Sequence, residues 1–260
     1  MSDTPTTPSP QARDFGVQSY CFRHFKDNKT VAEKVRGIGL DKIELCGVHA
    51  DFDKPDEVGA LVEVYRAAGV EVVSIGVETL GADEGFIRRR LECVTAAGAK
   101  HMSVHFKVDD FHESVPLAAK LAAEHGVRLA IHCHGGYMFG GDVPTLQHLL
   151  SLDPTGETVG VCIDTAWAIQ AGGPRHDCGE WAGETFAGRV SGVHYKDFVF
   201  DEHGATRDVI VGEGALDLPA FVKGLDRGGF DGYAVIEYEA DVESPDAALT
   251  RCVEAMRAAL

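Results

Sequence analysis

His132 and His134 stand two residues apart in AIHCHGG, and His194 and Lys196 repeat that spacing in VHYKD. In an extended strand, residues at i and i+2 project to the same face. Each pair therefore presents two polar heads side by side, while Cys133 and Tyr195 point away. Glu44, His105, Asp164 and Glu237 each fall at the end of a short apolar or β-branched run. Carboxylates and imidazoles gathered away from bulk water repel one another or stay desolvated unless something compensates. A divalent cation does so. A mixed oxygen and nitrogen donor set suits Mn²⁺ or Co²⁺, with Fe²⁺ and Zn²⁺ next, better than Mg²⁺ or Ca²⁺, which favour all-oxygen shells. The same carboxylates and imidazoles also serve as proton-transfer groups near neutral pH.

Convergence of these residues requires that the runs carrying them be neighbouring strands ending at one edge. Eight such runs are present: FGVQSY (15–20), DKIELC (41–46), VEVVSIG (70–76), KHMSVHF (100–106), VRLAIHCH (127–134), TVGVCID (158–164), RVSGVHYK (189–196) and GYAVIEY (232–238). Amphipathic stretches such as SVPLAAKLAAEHG and LPAFVKGLDRGG lie between them, and several end in a glycine suited to a left-handed helix cap. The repeat of about thirty residues matches one βα unit, lengthening to about forty only before the last strand. These units imply a single (β/α)8 TIM barrel over residues 15–260. A doubly wound open sheet would want a glycine-rich phosphate turn after its first strand, and CFRHFKDNKT contains no glycine. In a TIM barrel, catalytic groups sit at the C-terminal ends of the strands, where all the residues named above would meet. Residues 1–14, polar and holding three prolines, are expected to form a mobile tail. Asp197 alternates outward and is expected to steady the seventh strand's tip.

Composition narrows the function. With 41 acidic against 24 basic residues the formal charge is −17, which repels phosphate backbones and anionic lipid surfaces. Neither a nucleic-acid nor a membrane partner is expected. Nor is there an apolar run of about 18 residues or an N-terminal apolar stretch of signal-peptide type, so a cytoplasmic location is expected. The seven cysteines are scattered without a Cys-x-x-Cys pair and read as reduced core thiols, Cys178 being the one expected at the surface.

Several segments resemble one known family. VHYKD (193–197), IDTAW (163–167) followed by QAGGP, AIHCHGG (130–136), VGEGALD (211–217) and FDGYAVIEYE (230–239) are similar to xylose isomerase-like TIM barrels. That family includes sugar epimerases, sugar-phosphate isomerases and inosose dehydratases. FGVQSYCFR and IGLDKIELCG look like its first two units, so the resemblance spans about residues 15–258. It implies one divalent metal held by side chains on the fifth to eighth strands, commonly Glu, Asp, His and Glu. Asp164, His194 and Glu237 match, whereas His132 replaces the fifth-strand Glu, one of two proton-shuttling bases in the epimerases. His-x-His at that place resembles the inosose dehydratase branch. Trp167 stands where many epimerases have a substrate-contacting His, and its indole offers a flat wall for a sugar ring.

The resemblance implies a metal-dependent isomerase or epimerase acting on a keto-sugar or polyol through an enediolate, with dehydration of an inosose or keto-sugar as the alternative outcome of the same intermediate. Glu237, His134, His105 and Glu44 are the candidate bases, and Lys196 the group facing a developing oxyanion. Glu44, Trp167 and Arg207 are expected to touch substrate, Arg207 from the loop FVFDEHGATRDVIVGEG. Apurinic endonucleases share the fold, but the charge argues against DNA. A catalytically silent polyol-binding protein is a further class, and a homo-oligomer is compatible with the sequence.

Overall fold

The alternation of β-branched runs with glycine-capped amphipathic stretches folds as expected. The computed structural model describes residues 10–135, 139–172 and 178–260, so parts of the AIHCHGG and QAGGP segments lie outside the described residues. Its strands are β1 (Gly16–Gln18), β2 (Lys42–Leu45), β3 (Glu71–Leu80), β4 (His101–Phe106), β5 (Arg128–His132), β6 (Val159–Asp164), β7 (Val190–Tyr195), β8 (Asp197–Phe200), β9 (Thr206–Val209) and β10 (Tyr233–Ile236). Eight of them close in the order β1-β10-β7-β6-β5-β4-β3-β2, every neighbouring pair parallel. Parallel strands covered by crossover helices are buried on both faces, and every residue of β6, β7 and β10 is accordingly buried.

The helices that make the crossovers are bounded by local chemistry. Asp27, Asp83, Asp142 and Asp217 each accept a hydrogen bond from the backbone N–H three residues on. Gly98, Gly126 and Gly229 close their helices at φ of 72°, 65° and 70°, a region costly for any side chain with a Cβ.

Three features differ from expectation. Residues 10–14 are not a free tail: Pro10–Arg13 is a helical turn, with Ala12 wholly buried and its carbonyl accepting from Tyr195 Oη at 2.9 Å. Arg13 adds two parallel bonds to Asp226, both 2.9 Å. Polar composition hid this because the segment is held by its backbone and one guanidinium rather than by apolar area. Residues 1–9 lie outside the described residues. The segment after β7, read as a loop, is an antiparallel hairpin of β8 and β9, which accounts for the long spacing before β10. Cys178, expected at the surface, is buried like the other six cysteines.

Asp197 opens that hairpin and anchors the turn on its far side. Its carboxylate accepts from the backbone N–H groups of Gly212, Gly214 and Leu216 at 2.8–3.0 Å, tying the VGEGAL turn to the end of β7. Asp197→Ala would strand three partly or wholly buried donors, so a loss of about 3 kcal/mol is expected, read as a lower melting temperature. An unchanged melting temperature would refute the anchor.

Candidate metal centre

Strand order brings β5, β6, β7 and β10 side by side, and register aligns their ends: Asp164 pairs with His194, His132 with Cys162, and Ile236, the residue before Glu237, with Tyr195. One donor atom each from His132, Asp164, His194 and Glu237 lies within 4.8 Å of all the others. The four are buried or nearly so. His132 presents both ring nitrogens and Asp164 its Oδ2 without any hydrogen-bond partner, and His132 Nε2 stands 3.7 Å from that Oδ2. Buried polar atoms are almost always satisfied. Orphaned donors facing one another across such a gap fit a divalent ion, and the two-imidazole, two-carboxylate set matches the ions favoured from sequence.

The electrostatics fit the same reading. Burial drives Asp164 up to about 7, against the opposing pull of Lys196 and His194. Burial likewise pushes His132 down to about 3, keeping it neutral and able to donate a lone pair. Glu237 resists burial because Lys196 and His194 hold it well below the usual carboxylate range. His194 sits between two carboxylates, with Nδ1 at 3.0 Å from Glu237 Oε2 and Nε2 at 2.7 Å from Glu44 Oε2. Despite burial, those charges hold its pKa well above that of a free imidazole.

A cavity of about 450 Å³ opens over this cluster. Of the residues expected to act, His105, His132, His134, Trp167 and Glu237 line it. The Trp167 indole stacks on the His134 ring, centroids 4.2 Å apart at 26°, and meets Phe198 of the hairpin edge-on at 4.9 Å. His105 is forced down to about 3 by burial and the neighbouring histidines, so it is neutral at pH 7, with Nε2 unpartnered.

Three expected residues stand elsewhere. Glu44, read as a substrate contact and candidate base, is fully buried, absent from the cavity wall and enclosed by Ser74, Ser103, Tyr233 and His194. Lys196 is 1% exposed and ion-pairs with Glu239. It is not on the cavity wall itself but backs two residues that are, Glu239 and the Trp167 ring, whose centroid is 5.8 Å from Nζ. Arg207 projects to solvent from β9 and does not line the cavity.

Sequence reasoning missed Gln18, Tyr20, Glu78 and Glu239, all on the cavity wall. Glu239 was within reach of the rule that linked His132 to His134, since it lies two residues past Glu237. Glu78 escaped because β3 runs four residues beyond the expected 76.

Residues 32–259 match a family model described as the xylose isomerase-like TIM barrel. Among curated proteins, the rhizopine catabolism protein MocC of Rhizobium meliloti is 31% identical over 138 residues, covering 47% of this chain and 40% of that protein. The chain thus aligns with less than half the length of that relative. A crystal structure of IOLI protein with a binding zinc atom superposes with a TM-score of 0.69 at 15% identity, covering 92% of this chain and 95% of that one. D-allulose 3-epimerase from Methylomonas sp. gives 0.69 at 13% identity, covering 95% and 98%. At these identities the structural likeness speaks to the fold. Among the described residues no helix is long and apolar enough to cross a membrane.

Proposed function

The chain belongs to the xylose isomerase-like TIM barrel family, and from that premise we propose that it is a divalent-metal-dependent isomerase or epimerase of a keto-sugar or polyol. The observation carrying this reading is the buried, mutually facing donor set of His132, Asp164, His194 and Glu237 under an open cavity, in which both ring nitrogens of His132 and Oδ2 of Asp164 have no hydrogen-bond partner. The zinc named for the IOLI structure and the epimerase among the structural neighbours support it. Mn²⁺ or Co²⁺ suits the donor set, with Fe²⁺, Zn²⁺ and Mg²⁺ as alternatives.

A bound ion would polarise a substrate carbonyl and its adjacent hydroxyl, making the neighbouring C–H more acidic. The protein's own residues supply the rest. Glu237 is ionised and lines the cavity, so it is placed to take a proton from carbon and leave an enediolate. Lys196 keeps its positive charge beside Glu237 and Asp164 despite burial, and so offsets the carboxylates without entering the cavity. Glu237 can hand the captured proton back to the adjacent carbon, and His105 and His134 line the same cavity, where an imidazole that first takes a proton from solvent can deliver it to the same or the adjacent carbon. Trp167 supplies an apolar face against which a ring or chain of C–H groups can pack.

One observation favours a second reading. Where epimerases place a second carboxylate base, this chain has His132 turned toward the metal donors. With one carboxylate fewer among the metal donors, loss of a β-hydroxyl competes with reprotonation, which is the dehydratase outcome. Incubating the metal-loaded protein with keto-sugars and inososes in D₂O separates the two. Deuterium gain without loss of water supports isomerisation, elimination of water supports the lyase, and neither product across the panel would sink both.

Trp167→Ala removes the packing wall without touching a metal donor. An increase in KM of about tenfold with little change in kcat is expected, corresponding to about 1.4 kcal/mol of uniform substrate binding. Equal KM values would show that substrate does not lean on the indole.

A further inference from the structure

Glu44 is a carboxylate sealed from both cavity and solvent, yet its acceptor positions are used. Oε1 accepts from Ser74 Oγ at 2.9 Å, Ser103 Oγ at 2.5 Å and Tyr233 Oη at 3.0 Å, so β3, β4 and β10 each contribute a hydroxyl. Oε2 faces His194 Nε2 at 2.7 Å. Stability alone does not call for this arrangement, because a buried charged group is often replaced by an apolar one at no loss. The direction of the contact suggests its purpose. His194 has two ring nitrogens: Nε2 is taken up by Glu44, and Nδ1 lies 3.0 Å from Oε2 of Glu237, a member of the donor set. A histidine ligates through a nitrogen that carries no hydrogen, so the proton must reside on the opposite one.

We propose that Glu44 is a positioning residue for the metal centre: by accepting Nε2–H it fixes the ring of His194 and its tautomer, and thereby presents Nδ1 to the cluster formed with His132, Asp164 and Glu237. The inference rests on the metal reading given above. The hydroxyls of Ser74, Ser103 and Tyr233 in turn hold the carboxylate, so the orientation is set by side chains from three further strands. Partners of this kind fix ligand orientation and raise ligand basicity, and their loss weakens metal binding by about 10–100-fold.

Three proteins test it: the wild type, Glu44→Gln and Glu44→Leu. The Gln variant keeps an oxygen for Nε2–H while its amide N–H groups turn to hydroxyls that can accept. The Leu variant keeps much of the volume and offers no acceptor. Dissociation constants for Co²⁺ are read from its visible absorption in competition with a chelator, with thermal unfolding as the check on folding. Long-range ¹H–¹⁵N spectra of the protein loaded with diamagnetic Zn²⁺ report which nitrogen of His194 bears hydrogen when the ion is bound. Glu44→Leu is expected to weaken Co²⁺ by about 10–100-fold and Glu44→Gln by less than about tenfold, with Nε2 protonated in the wild type. A purely structural Glu44 would shift the unfolding curve and leave the Co²⁺ affinity of the folded variant unchanged, which overturns the proposal. So does a wild-type His194 with hydrogen on Nδ1 alone, a result that needs no variant to fold. A wild type that binds neither Co²⁺ nor Zn²⁺ defeats the metal reading itself, an outcome distinct from a wild type that binds the ion as tightly as Glu44→Leu does, which defeats only the role of Glu44.

Discussion

Asp164→Asn is expected to abolish useful metal binding, with a fall in Co²⁺ affinity of about 100-fold or more, and to remove deuterium exchange into substrate with it. The side chain is fully buried, Oδ1 accepts from the Trp167 backbone N–H at 3.0 Å, and Oδ2 has no partner. An amide keeps the first contact and loses the anionic donor. The variant also has a signature that loss of fold cannot imitate. Burial raises Asp164 from 3.8 to about 7, so the metal-free native state binds a proton that the unfolded chain has released across that window. Stability of the metal-free wild type therefore falls as pH rises from about 4 to 7 on this residue's account, and the Asn variant escapes that penalty. The metal-free variant should be at least as stable as the wild type at pH 7, with the two curves converging toward pH 4. Unfolding titrations at several pH values check this. Undiminished Co²⁺ affinity would remove Asp164 from the donor set.

Glu237→Gln is the second large effect, expected at about 10²–10⁴-fold in turnover even when the metal is saturating. The carboxylate both faces the donor cluster and lines the cavity, and it is the cluster member held most firmly ionised. Gln preserves shape and one oxygen, so Co²⁺ should remain bound, more weakly, while the proton acceptor is gone. Measuring exchange at metal concentrations that saturate the variant separates the two losses. Full turnover under those conditions would assign the base to His105 or His134 instead.

These outcomes bear on the exchange of Glu for His132 as well. Two of the four donors are imidazoles, so one metal donor fewer is available to act as a carboxylate base. His105 and His134 stand on the same cavity wall as His132, with ring centroids 5.4 and 5.9 Å from it, and they are the groups placed to take the missing part. The His105 ring, which burial and the neighbouring histidines keep neutral, adds no charge to a cavity that already carries Glu78, Glu237 and Glu239.

The chain alone made legible those features that depend on neighbours along it. Period-two alternation marked the strands, glycine caps and the repeat of βα units marked the crossovers, and together they implied a closed parallel barrel with its polar tips at one end. Placing His132, Asp164, His194 and Glu237 at adjacent ends needed only that topology, because strand order is fixed by successive right-handed crossovers. Depth within the barrel was not legible. Glu44 ends a strand just as Glu237 does, yet one is walled in by Ser74, Ser103 and Tyr233 while the other opens to the cavity. The difference arises from stagger between strands, including the register shifts at Ile43/Glu44 and between Ile75 and Glu78, and stagger is a relation between segments about thirty residues apart that leaves no mark on either one. Lys196 was assigned to substrate for the same reason, its true partner Glu239 lying on another strand end 43 residues away. The hairpin of β8 and β9 and the docking of Pro10–Arg13 likewise depend on surfaces that exist only once the barrel has closed.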